Sequence, residues 1–172
     1  MSEEAEEKPS MDGLSGIFRS EEFKTAAKRY HEAFDNMPED KRQIVKMMTM
    51  CWRTAWNAYN AAMGYNGEDT DDKRIMCCGT HANTFLMQFG AIQNELGNES
   101  VESVLKKMNA TSDWLEQRGL HGLPTPVDRD NVVHHKTADG MYADMKRYSE
   151  TRLQLVQRMR ASGDDGGSGR RR

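Results

Sequence analysis

The sequence predicts an all-α fold: about five helices in a single compact bundle, with a flexible tail at each end. Two observations lead there. Apolar residues recur every three or four positions through most of the chain, and no run of four to eight residues alternates as a half-buried strand would, apart from a short Asn131-Val132-Val133. Composition is the third. Ile, Leu, Val and Phe together make up only about 15% of the 172 residues, while Met contributes 13. A core built this way is modest in size and filled by flexible thioethers. The length suits one domain, placed at residues 14–160, with an acidic tail at 1–13 and a Gly/Ser/Arg tail at 161–172.

Ser20 can cap a first helix that carries Phe23, Ala27, Tyr30 and Phe34 on one face. Asn36 and Pro38 open a second, with acids in its first turn as the helix dipole favours. Along it Ile44, Met48, Cys51, Ala55, Ala58 and Ala62 keep a 4-3-4-3-4 spacing that ends near Gly64. After a polar connection at 67–72, a third helix starts near Asp71. It sets Ile75, Cys78, Ala82, Phe85, Phe89, Ile92 and Leu96 on one stripe, with Gly97 as its stop. Gly79 and Gly90 weaken this helix and can bend it. A fourth, over 99–118, uses Val101, Leu105, Met108 and Leu115 and stops at Gly119. Residues 121–136, with Gly122, Pro124 and Pro126, form the one long irregular segment. Thr137 or Asp139 starts the last helix, with Met141, Met145, Tyr148, Leu155 and Met159 along one side.

The formal net charge is −3, from 24 basic and 27 acidic side chains, which excludes a histone-like protein. The distribution is uneven: residues 1–22 sum to −5 and residues 141–172 to +4. Three cysteines, two of them adjacent, do not suit a disulfide framework. The opening residues hold neither a basic nor an apolar signal segment, and the long charge-free run at 75–94 is too polar to span a bilayer. An intracellular protein without membrane contact is expected.

Residues 54–67 and 75–94 contain no Asp, Glu, Lys or Arg. Their polar positions are neutral, among them Asn57, Asn60, Thr84 and Gln88, which offer hydrogen bonds without the desolvation cost of charge. Either neighbours within the domain cover both sides of these helices, or their outer faces meet another subunit or a ligand. The same neighbourhood holds Trp52, Arg53, Trp56 and Tyr59. Aromatics beside Arg and Asn can stack bases, and the 4-3 spacing equally makes a second core stripe.

Cys77 and Cys78 lie four and three residues before His81, a spacing that could offer a thiolate and an imidazole to one zinc ion. Four ligands would require Cys51 or the His134-His135 pair to fold back. Cys78 falls on the apolar stripe, where a thiol behaves as a small hydrophobe. Neither a metal nor a cofactor is expected. No phosphate-binding glycine loop, zinc-protease helix, nucleophile elbow or calcium loop occurs, so no catalytic residue is assigned and the expectation is a non-enzymatic protein.

The basic end carries the most information. Lys146, Arg147, Arg152, Arg158 and Arg160 decorate the last helix, and Arg170, Arg171 and Arg172 end a Gly/Ser linker. Guanidinium groups suit phosphate, and a flexible tether lets them search for it. A solubilising tail would have the same composition, as would one that pairs with the acidic N-terminus of a neighbouring subunit. The expected function is a self-associating helical protein that holds a polyanion, foremost single-stranded nucleic acid such as single-stranded RNA, as a small coat or nucleocapsid-type protein does. Lys146, Arg147, Arg152, Arg158, Arg160, the terminal arginines and Arg53 would bind it. Asn57, Asn60, Thr84 and Gln88 would join homo-oligomer subunits. The alternative is an adaptor whose Met47, Met48, Met50 and Met63 line a groove for a partner helix.

Overall fold

The computed structural model describes residues 20–165, apart from the side chains of Phe23, Asp164 and Asp165. It holds five helices: α1 (Glu21–Asp35), α2 (Glu39–Ala62), α3 (Asp71–Glu95), α4 (Val101–Glu116) and α5 (Ala138–Asp165). The described residues contain no strand. The short valine run makes only an isolated antiparallel bridge, Val127 to Val133, closed by a bond from the His134 N–H to the Pro126 carbonyl at 2.8 Å.

The chain divides into two units, Met1–Pro38 and Glu39–Arg172. In the first, α1 begins at Ser20, whose carbonyl accepts the Lys24 N–H at 3.1 Å. Ala27 and Phe34 are half-buried and Tyr30 is exposed. The Phe23 side chain expected beside them lies outside the described residues.

The second unit contains the other four helices. Ile44, Met48, Cys51, Ala55 and Ala58 of α2 are buried against Cys78, Ala82, Phe85 and Phe89 of α3, as the two stripes require. Met108 of α4 and Met141 and Met145 of α5 complete the core, so the thioethers fill gaps that Leu and Ile occupy in richer sequences. α3 is the central element, packed on both α2 and α5. Thr70 caps it by accepting the Lys73 N–H, and Ser100 caps α4 in the same way. α2 closes in a Schellman turn: Gly64 takes φ +74°, and the Tyr65 N–H reaches the Asn60 carbonyl at 2.9 Å.

α3 and α5 run antiparallel, with Phe89 against Tyr142, Asn83 hydrogen-bonded to Ser149, and Gly79 against Arg152. The Gly79 contact explains a glycine in mid-helix. A Cβ placed there would lie 2.3 Å from Arg152 Cβ, so the helices meet at this spacing only because Gly79 has none. Carrying the same register on, the turn of α5 that holds Met159 lies opposite the first residues of α3.

This corrects two expectations. Met159 is 57% exposed rather than part of the core face, because α5 has by then reached the end of its neighbour. Residues 161–165, assigned to the tail, continue the helix as far as Asp165. The expected tail at 1–13 and the rest of the C-terminal tail lie outside the described residues. Among those described, no helix is long and apolar enough to cross a membrane.

Two glycines of α3 should respond oppositely to alanine. Nothing lies within 4 Å of a Cβ at Gly90, so Gly90→Ala should stabilise by about 0.5–1 kcal/mol through helix propensity. Gly79→Ala should destabilise by about 1–3 kcal/mol through overpacking against the stem of Arg152. Urea denaturation of both variants measures this, and a Gly79→Ala variant as stable as Gly90→Ala would refute the close crossing.

Candidate nucleic-acid interface

Tyr59 in α2, Lys136 just before α5 and Arg147 within α5 converge on one buried carboxylate, Asp144. The Tyr59 hydroxyl donates to Asp144 Oδ2 at 2.8 Å, Lys136 Nζ lies 2.8 Å from the same oxygen, and Arg147 Nη2 lies 3.1 Å from Oδ1. Lys136 also sits over the Tyr59 ring, and Arg147 over the Tyr148 ring. One acid therefore serves two cations, and the cluster keeps an excess positive charge.

Arg147 and Tyr148 lead from this cluster into a pocket of about 420 Å³. Ala62, Ile75 and Cys78 supply its apolar lining, and Arg74, Asp71, Arg147 and Thr151 its polar lining. Its volume falls in the range of small-molecule sites. Arg74 pairs with Asp71 and donates to the Glu68 carbonyl at 3.4 Å. A second guanidinium stands close to it: a Cβ added at Gly64 would lie 3.1 Å from Arg129 Nη2 and 3.3 Å from Arg74 Nη1. Both flank the C-terminal end of α2, where the helix dipole favours cations. Arg129 has no ion pair among the described residues.

The basic residues of α5 do not share one face. Arg147 and Arg158 are eleven residues apart, three helical turns, so they lie on one side, about 16 Å from each other. Lys146 and Arg160 fall on other sides. Arg152 is half-buried: its stem packs on Gly79 and its Nε is buried without a partner. Lys146, Arg158 and Arg160 are exposed and form no ion pair with another described side chain, and neither does Arg53 on α2. Arg170, Arg171 and Arg172 lie outside the described residues.

The neutral positions divide similarly. Gln88 is held within the bundle, its Oε1 accepting the Thr54 hydroxyl at 2.9 Å. Thr84 is exposed and bonds its own helix at the Thr80 carbonyl. Asn57 and Asn60 are half-buried. Next to Gln88 a groove of about 260 Å³ is lined by Met47, Met50, Ala91 and Ile92, with Lys46 and Glu95 contributing charge. Met50 and, on α3, Met87 are 67% and 76% exposed. Met48, expected in a partner groove, is fully buried in the core because it lies on the Ile44–Cys51 stripe. Met63 packs against that core.

The cysteine cluster has a different character from a metal site. The Cys77 thiol, more than any other group, holds the Glu68 carboxyl below the usual carboxylate range. His134 is engaged elsewhere, 2.8 Å from Asp128. Among the described residues no three His, Cys, Asp or Glu side chains come together to hold an ion. Burial, and then the Glu68 carboxylate, pushes the Cys77 thiol up, away from the nucleophilic thiolate. Burial pushes Cys51 and Cys78 up to about 12. Tyr59 is also raised, by burial and by its bond to Asp144.

The sign of the resulting pH dependence follows. Below about pH 9 these thiols are protonated in both folded and unfolded chains; above it the unfolded chain loses protons that the folded one retains. The denaturation midpoint should fall steadily as pH rises from about 9 to about 12. A Cys51→Val, Cys78→Ala variant should fall less. An identical profile for the two proteins would contradict the burial of these thiols.

Comparison with known protein families, with curated proteins and with solved structures finds no match to this chain.

Proposed function

We propose that this is a non-enzymatic, self-associating helical protein that holds a polyanion, single-stranded nucleic acid, in the manner of a small coat or nucleocapsid-type protein. The observation that carries it is the guanidinium arrangement along α5. Arg147 and Arg158 lie on one side of the helix, and Arg147 lines the pocket that also contains Arg74. Asp144 fixes Arg147 without cancelling the local charge, since Lys136 already balances that acid. Such a row can follow a flexible phosphate backbone, each contact releasing counterions.

Self-association would use the outer side of α2 and α3. Exposed Met50 and Met87, beside the neutral Thr84 and Gln88, offer apolar contact, with the charges of Lys46 and Glu95 nearby. The same two methionines favour a second reading, an adaptor receiving a partner helix at this groove. It would need no polyanion.

Binding of a fluorescent oligothymidylate should weaken steeply with salt. Replacing Arg147 and Arg158 together by alanine should reduce the slope of log K against log salt by about 1.4. An unchanged slope would remove α5 from the interface. Light scattering tests the other half: Met50→Asp with Met87→Asp should shift an oligomer to monomer, whereas a wild-type chain that is already monomeric at low and high salt favours the adaptor.

A further inference from the structure

We propose that Trp56 forms a stacking site for one unpaired nucleobase, separate from the guanidinium row of α5; this rests on the polyanion reading above and adds a ligand class to it. Arg53, Trp56, Asn57 and Asn60 follow the i, i+3, i+4, i+7 spacing that places four residues on one side of a helix. That side is not the core side, since the buried residues of α2 are Ile44, Met48, Cys51, Ala55, Ala58 and their neighbours.

Trp56 is 40% exposed and lines a cavity of about 510 Å³ whose remaining wall is residues 121–125. The wall is held in place. The Leu123 N–H donates to Ser112 Oγ at 3.0 Å, and a Cβ at Gly122 would collide with that oxygen at 2.1 Å. Leu123 and Pro124 add apolar surface to the lining. The cavity thus has an aromatic residue, Trp56, open to solvent, and a segment at 121–125 that is fixed in place.

The polar residues that flank Trp56 on α2 lie beside the cavity, outside its lining. Arg53 makes no ion pair, and the amides of Asn57 and Asn60 make no hydrogen bond with another described residue. Exposed His121, also in the wall, has no described partner. A base stacked on the indole would find donors and acceptors for its edge in the two amides, and its phosphate would find Arg53. Trp52 and Tyr59, the other aromatics of this segment, serve the core instead: Trp52 packs against it and Tyr59 is buried on Asp144.

Three probes decide the matter: a short oligothymidylate, a base-free polyphosphate and a DNA duplex, each titrated against the full chain with tryptophan fluorescence recorded. The expected result is quenching by oligothymidylate alone. Trp56→Ala should abolish the quenching and weaken oligothymidylate binding about ten- to a hundredfold, while polyphosphate binding stays unchanged. Trp56→Phe should keep most of the affinity, which separates a stacking role from disturbed folding. If polyphosphate and oligothymidylate bind alike and Trp56→Ala affects neither, the base site is overturned while the polyanion reading stands. If none of the three binds, both fall.

Discussion

The carboxylate of Asp144 is the constraint on which the architecture and the candidate site both depend. Taking a carboxylate out of water costs several kcal/mol unless donors satisfy it. Here the donors come from α2, from the segment entering α5, and from α5 itself. The three segments must therefore be in register before the charge can be buried, which links the seating of α5 to the bundle. The same geometry holds Arg147 at the pocket with its remaining donors available. Stability and local positive potential thus have one source.

The neutrality of α3 follows from its central position. α2 lies against one side and α5 against another. Gly79, Ala82 and the Asn83–Ser149 hydrogen bond keep those contacts close. A lysine or glutamate at such positions would lose hydration without gaining a partner. Coverage from within the unit accounts for most of the missing charge. What it leaves unexplained is the narrow strip with Thr84, Met87 and Ala91, which is exposed and still uncharged.

How much of this could be read from the sequence depended on the range of the interaction. Helical stripes, caps and the Gly64, Gly97 and Gly119 stops are local, and the four bundle helices fall where periodicity places them. The fate of individual side chains on those helices is not local. Arg152 resembles its basic neighbours in sequence, yet its stem is covered because Gly79, seventy-three residues earlier, leaves room for it. Met48 and Met50 differ by two residues and by complete burial against exposure, a difference set by the α2 stripe. Arg74 and Arg129 each stand among acids in the sequence, Asp71 and Asp72 before one and Asp128 and Asp130 around the other, so neither marks a basic cluster. Only the turn at Gly64 brings them together. Asp144 was similarly hidden, an ordinary acid within a basic helix.

A chain with a net charge of −3 cannot hold a polyanion tightly through its overall field. Whatever attraction exists must come from a few local guanidinium groups, each contributing one salt-sensitive contact. A single copy with so few contacts would bind weakly. Copies joined side by side would not, because each bound subunit raises the effective concentration of the next along the same strand. Association surface and anion surface should then lie apart, so that forming one does not bury the other. The exposed strip of Thr84, Met87 and Ala91 on α3 and the guanidinium side of α5 lie on different helices. On this view the near-neutral total charge is an advantage, since subunits carrying a large positive charge would repel one another where they must meet.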